Sequence, residues 1–131
     1  MRLRIFLVED SPVIRDNLIE VFEELLPARV VGWAATESDS VAWLKRNTAS
    51  WDLAVVDMFL AEGNGLGVLQ SCKGRRIDQR MVVFSNYATA QIRERCLVEG
   101  ADAVFDKSNE LEEFTAYALQ SVRSDLGPTN C

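Results

Sequence analysis

Leu53-Ala54-Val55-Val56-Asp57 is a run of four apolar residues closed by an acid, and its reading decides the fold. Three more runs end on chemistry. Residues 3–8 lead into Glu9 and Asp10, 81–84 lead into Ser85, and 103–105 are followed two residues on by Lys107. Short, continuous apolar runs rich in Val, Ile and Phe fit strands covered on both faces. Helical patterns fill the intervals between them. That alternation predicts a doubly wound α/β domain. In a parallel sheet the five named side chains meet at the carboxyl edge, where open α/β sheets bind their ligands.

The expected order begins with a strand at 3–8. A helix over 12–26 follows, with Ser11 as N-cap, Pro12 in its first turn, and Ile14, Leu18, Val21, Phe22 and Leu25 on the buried face. A second strand at 29–35 precedes a helix at 38–47 with Val41 and Leu44 inward. A third strand at 52–56 is followed by the turn Glu62-Gly63-Asn64-Gly65 and a helix at 66–73. The last two pairs are a strand at 80–84 with a helix at 88–98, and a strand at 102–105 with a helix from Ser108-Asn109 to about 123. Gly100 fits a left-handed C-cap. The domain is assigned to 1–123 and a short polar tail to 124–131.

The chain has 131 residues, 48% of them hydrophobic and 26% charged, a composition usual for one soluble domain. A net charge of −6 speaks against a nucleic-acid surface. The basic residues Lys73, Arg75 and Arg76 read as a solvated loop. No apolar stretch is long enough for membrane insertion. The three cysteines show no CxxC spacing and fit a reducing cytoplasm. There is no histidine, which removes imidazole bases, imidazole ligands and a phosphohistidine role.

Taken singly, each strand-end residue has a plain structural reading. Asp57 fits a loop or cap aspartate, Glu9 and Asp10 complement a helix dipole, Ser85 caps a helix, and Lys107 sits at the surface. Together they form a self-repelling carboxylate cluster suited to Mg²⁺, a hard cation that takes carboxylates and phosphoryl oxygens. A hydroxyl and an ammonium stand beside it for phosphoryl oxygens. Asp57 is then the nucleophile.

On Val8-Glu9-Asp10, Asp57 with Gly65 eight residues later, Phe84-Ser85, and Gly100-Ala101-Asp102 through Lys107, the chain resembles the receiver domain of two-component response regulators over 3–123. The resemblance implies a flavodoxin-like five-stranded parallel sheet of order 2-1-3-4-5. It implies phosphoryl transfer from a sensor histidine kinase or phosphotransfer protein onto Asp57. Asp10 and Asp57 would bind Mg²⁺ directly, Glu9 through water, and the Phe59 carbonyl would add a ligand. Ser85 and Lys107 would contact the phosphoryl group. A protein target would meet the face made by the fourth helix, fifth strand and fifth helix. With no DNA-binding segment beside it, the domain reads as a stand-alone switch rather than an enzyme.

The chain departs from that family at four places. Val104 stands where Tyr or Phe is usual, Ser108 replaces the proline that carries a cis peptide, Ala61 replaces another proline, and Asn86 replaces a small residue. Phe59, Asn86 and Tyr87 are read as modulators of phosphoryl lifetime; the rings of Phe59 and Tyr87 could shield the bond from water. Three rival readings have distinct signatures. A haloacid-dehalogenase-like phosphatase needs a second acid where Phe59 stands. A flavodoxin-type carrier needs a phosphate loop where Glu9 and Asp10 stand. A degenerate receiver would act as an unphosphorylated interaction module.

Overall fold

A computed structural model describes residues 2–86 and 88–126, with side chains as far as 121. Strands and helices alternate as β1 (Leu3–Val8), α1 (Pro12–Leu25), β2 (Ala28–Ala34), α2 (Glu37–Arg46), β3 (Leu53–Val56), α3 (Gly65–Ser71), β4 (Arg80–Ser85), α4 (Ala90–Val98), β5 (Ala103–Asp106) and α5 (Leu111–Leu126). The strands form one parallel sheet of order β2-β1-β3-β4-β5. This is the flavodoxin-like order expected from the sequence.

The period of two along each strand divides the apolar residues between two layers. Phe6 and Val8, Ala54 and Val56, and Met81 and Val83 join the layer containing Leu44, Val68, Leu69 and Cys96 from α2, α3 and α4. Leu3, Ile5 and Leu7, Leu53 and Val55, and Val82 and Phe84 join Phe22 of α1 and Phe114 and Ala118 of α5. Phe114 stacks on Phe84 with centroids 5.1 Å apart and lies 5.0 Å from Phe22. Fully burying one such side chain stabilises the fold by about 1.5–3 kcal/mol. On the other layer Trp43 stacks on Phe6 at 4.1 Å. Gly32 makes room for it, since a Cβ there would sit 2.6 Å from the indole.

Four helices start on a side chain that accepts the N–H three residues ahead: Ser11, Thr36, Asn64 and Thr89. Thr89 therefore caps α4, and Ser85 ends β4 with its hydroxyl left for other use. Gly100 has φ 114°, as a left-handed cap requires.

Three expectations need correction. The buried face of α1 is narrower than the spacing indicated: Ile14 and Leu25 are exposed, while Leu26, just past the helix, is buried. Helix α5 continues to Leu126, beyond the end expected at about 123, and 127–131 lie outside the described residues. The basic stretch is more than a solvated loop. Arg75 donates to the carbonyls of Cys72, Gln79 and Gly100 and to the Asp102 carboxylate, binding the α3–β4 loop to the turn before β5.

Candidate functional site

Parallel pairing sets the strand ends side by side. Val8 is opposite Val56, and the Asp57 N–H donates to the Val8 carbonyl at 3.1 Å. On the other side Ser85 is opposite Asp106, and the Lys107 N–H donates to the Ser85 carbonyl at 3.1 Å. The ladder thus delivers Glu9, Asp10, Asp57, Ser85 and Lys107 to one edge, as the strand reading requires. They line a cleft of about 410 Å³.

Each side chain has a definite partner. Ligand oxygens of Glu9, Asp10 and Asp57 all lie within 4.8 Å of one another. Lys107 Nζ donates to Glu9 Oε1 and, at 2.9 Å, to Asp57 Oδ2. Asp57 Oδ1 accepts from Ser85 Oγ at 2.9 Å and from the Phe59 N–H at 3.1 Å. The single Ser85 hydroxyl proton has a second acceptor in the Asn86 carbonyl at 3.1 Å. Glu9 Oε2 accepts the Ser11 N–H, and Asp10 Oδ2 accepts the Ala61 N–H at 2.8 Å.

Glu9 is 2% exposed and Asp57 8%. Burial opposes charge on Lys107, yet hydrogen bonds and charges from Glu9 and Asp57 prevail and hold its pKa above the ordinary lysine value. Three carboxylates against that one ammonium leave a surplus of negative charge in a poorly hydrated edge. The donor set is all oxygen, and among the described residues Asp10 spends only one carboxylate oxygen on a hydrogen bond. Hard oxygen ligands and surplus negative charge fit a divalent cation of the Mg²⁺ type.

Glycine is required where the β3–α3 loop folds back over the site. A Cβ on Gly65 would stand 2.6 Å from the Asp57 carbonyl oxygen and 3.0 Å from Met58 Cα. Phe59 is half exposed at the mouth of the cleft, and Asn86 also lines it. Asn86 Oδ1 accepts from Ser108 Oγ at 3.0 Å, so two of the departures from the family pattern contact each other. Tyr87 lies outside the described residues. No cis peptide occurs among the described residues, including the bond before Ser108.

A cleft of similar volume at the opposite sheet edge is floored by Leu44 and Trp51. Its Arg75 and Arg76 are committed to Asp102 and Asp78, and no carboxylate is among its described lining residues. Burial pushes the Cys72 and Cys96 thiols up, which makes neither a thiolate nucleophile at neutral pH. Sequence reasoning missed the Arg75 clamp and an Arg93–Glu110 bridge. Their partners are 27 and 17 residues away, beyond any local pattern.

Residues 5–119 match the family model described as the response regulator receiver domain. Among curated relatives, the DNA-binding transcriptional activator DevR/DosR of Mycobacterium tuberculosis is 27% identical over 76% of this chain and 45% of that protein. The response regulator UvrY of Escherichia coli K12 is 22% identical over 93% of this chain and 55% of that protein. The chain thus spans about half the length of these relatives. A solved CheX–CheY–BeF₃–Mg²⁺ complex from Borrelia burgdorferi contains a chain that superposes with a TM-score of 0.77 at 21% identity, covering 95% of this chain and 89% of that one. That likeness shows the fold. The expectation of no nucleic-acid partner is not carried forward, because a relative matched over 45% of its length is itself named as DNA-binding. No helix among the described residues is long and apolar enough to cross a membrane.

Proposed function

The chain belongs to the response regulator receiver domain family, and from that premise we propose that it is a phosphorylation-dependent switch with Asp57 as phosphoacceptor. One observation carries the reading: Asp57 lies among two further carboxylates, an ammonium and a hydroxyl, all with oxygen or nitrogen atoms facing one cleft.

In the proposed step an Asp57 carboxylate oxygen attacks the phosphorus of a phosphohistidine on a sensor kinase or phosphotransfer protein. The O–P bond forms, the N–P bond breaks, and its electron pair remains on the imidazole nitrogen. Lys107 and Ser85 already donate to Asp57, one to each oxygen. They are positioned to transfer those donations to the incoming phosphoryl oxygens, where preorganised donors act most strongly. Glu9, Asp10, Asp57 and the Phe59 carbonyl would hold Mg²⁺, which supplies charge neutralisation to the phosphoryl group when bound. Phe59 and Asn86, at the cleft mouth, limit access of water and so lengthen the life of the acyl phosphate; Tyr87 is assigned the same role on its place two residues after Ser85.

The signal is a population shift between two arrangements, read by a protein target at the face of α4, β5 and α5. We assign the receiver to 1–123 and the protein to the cytoplasm, in keeping with the free thiols Cys72 and Cys96. The test is labelling with phosphoramidate and Mg²⁺, read by intact mass and peptide mapping. The expected result is one phosphoryl group per chain, on Asp57, abolished by chelation and by Asp57→Asn. Steady release of inorganic phosphate from monoesters would instead mark a phosphatase. Absence of label would mark an unphosphorylated interaction module.

A further inference from the structure

A second polar cluster occupies the face made by α4, β5 and the start of α5. Its centre is Arg93, whose guanidinium reaches three separate segments. Nε donates to the Ala88 carbonyl in the β4–α4 loop at 2.9 Å, and one amino group donates to the Val104 carbonyl on β5 at 3.1 Å. The other amino group donates to the carboxylate of Glu110, immediately ahead of α5. The same Glu110 oxygen accepts the Asp106 N–H at 2.9 Å. Arg93 and Glu110 side chains are 34% and 28% exposed, so the ion pair by itself contributes little to stability. The rigid fork is what a flexible ammonium could not reproduce.

Both ends of this bridge adjoin the phosphoacceptor site. Ala88 follows Ser85 by three residues, and Asp106 immediately precedes Lys107. The guanidinium therefore ties the loop that carries one phosphoryl-contact group to the loop that carries the other. Val104, where the family pattern has Tyr or Phe, is packed into the layer with Cys96 and Ala101. The neighbouring Phe105 faces the opposite layer, edge-on to Phe114 at 5.9 Å. Arg93 contacts the β4–α4 loop, β5 and the residue just ahead of α5 at once.

Resting on the role given above to Asp57, we propose that Arg93 is the positioning residue that couples Ser85 to the start of α5. In one arrangement the fork spans all three acceptors. When the Ser85 hydroxyl leaves Asp57 for a phosphoryl oxygen, the β4–α4 loop carries the Ala88 carbonyl with it. The fork then follows the loop and gives up Glu110, which frees the first turn of α5. A discrete two-position element biased by the site is the physical requirement for such coupling.

The experiment is amide NMR of the whole chain with Mg²⁺, before and after saturation with beryllofluoride. In the wild type, shifts should appear at Ser85 and Asn86 and also from Asp106 to Tyr117. In Arg93→Ala and Arg93→Lys the shifts at Ser85 and Asn86 should persist, while those from Glu110 to Tyr117 fall by more than half. Glu110→Gln keeps an acceptor for the fork and should give an intermediate loss. The lysine and glutamine variants retain size and polarity, so the comparison stands even if the alanine variant does not fold. Shifts in α5 that stay at wild-type size in Arg93→Lys and Glu110→Gln would overturn the proposal and place the coupling in the Phe84–Phe114 stack. Absence of any shift at Ser85 in the wild type, or identical shifts in Asp57→Asn, would instead refute the phosphoacceptor reading and the coupling with it.

Discussion

Replacing Lys107 with methionine removes a charge while keeping most of the apolar stem. In the folded protein Nζ is shared between Glu9 and Asp57, whose side chains are 2% and 10% exposed. Without it both carboxylates remain at the sheet edge with no cation among their described contacts, and Asp10 adds a third negative charge. Breaking a buried ion pair by removing one partner costs about 3–5 kcal/mol. Against a total stability of roughly 5–15 kcal/mol, that is a large fraction. The assay is urea unfolding at neutral pH, first in EDTA and then in millimolar Mg²⁺. Lys107→Met should lose about 3–5 kcal/mol in EDTA. It should regain more from Mg²⁺ than the wild type does, because a cation bound only by the folded state stabilises it by mass action. A variant within about 0.5 kcal/mol of wild type in EDTA, the range of an inconsequential surface substitution, would refute the reasoning.

Gly65→Ala drives a methyl group against the Asp57 carbonyl and Met58 Cα, both main-chain atoms. It should lower the unfolding free energy by about 1–3 kcal/mol and weaken Mg²⁺ binding, both readable in the same urea titrations. The Glu110 carboxyl is held below its ordinary 4.5, first by the hydrogen bond from Arg93 and then by the Asp106 N–H. Its contribution is therefore present above pH 4.5 and lost as pH falls through the folded-state value. The stability gap between wild type and Glu110→Gln should accordingly shrink on acidification, and a gap constant with pH would contradict this. Phe59→Asn places an amide at the cleft mouth and should speed loss of the acyl phosphate. The acceleration should reach about 100-fold if the amide orients water well, the low end for a positioned catalytic group; unchanged decay of the labelled protein would end the shielding idea.

The fold was legible because its information is local. Runs such as 53–56 and 81–84 are apolar on both faces, Ser11-Pro12 and Asn64 punctuate as caps, and β–α alternation leaves few topologies. The gathering of the candidate site was legible for the same reason: its members are the residues that end those strands. Less local features escaped. Helical spacing along α1 could not tell that Ile14 faces the cleft mouth or that Leu26 turns inward after the helix stops. Arg75 and Arg93 have long side chains whose acceptors are mostly main-chain carbonyls, and a carbonyl carries no sequence signature. Its place after β5 presents Lys107 as a group awaiting a phosphoryl oxygen. In this state it instead bridges Glu9 and Asp57, a choice set by the distances between strand ends.

The central claim is that Glu9, Asp10 and Asp57, the carboxylates at the ends of β1 and β3, act as one cation-binding centre that includes the proposed phosphoacceptor. Isothermal calorimetry with magnesium chloride tests it most directly. The account predicts one ion per chain in the wild type, with binding abolished or severely weakened in both Asp10→Asn and Asp57→Asn. No binding heat in the wild type at several temperatures, or affinity untouched by both substitutions, would contradict it.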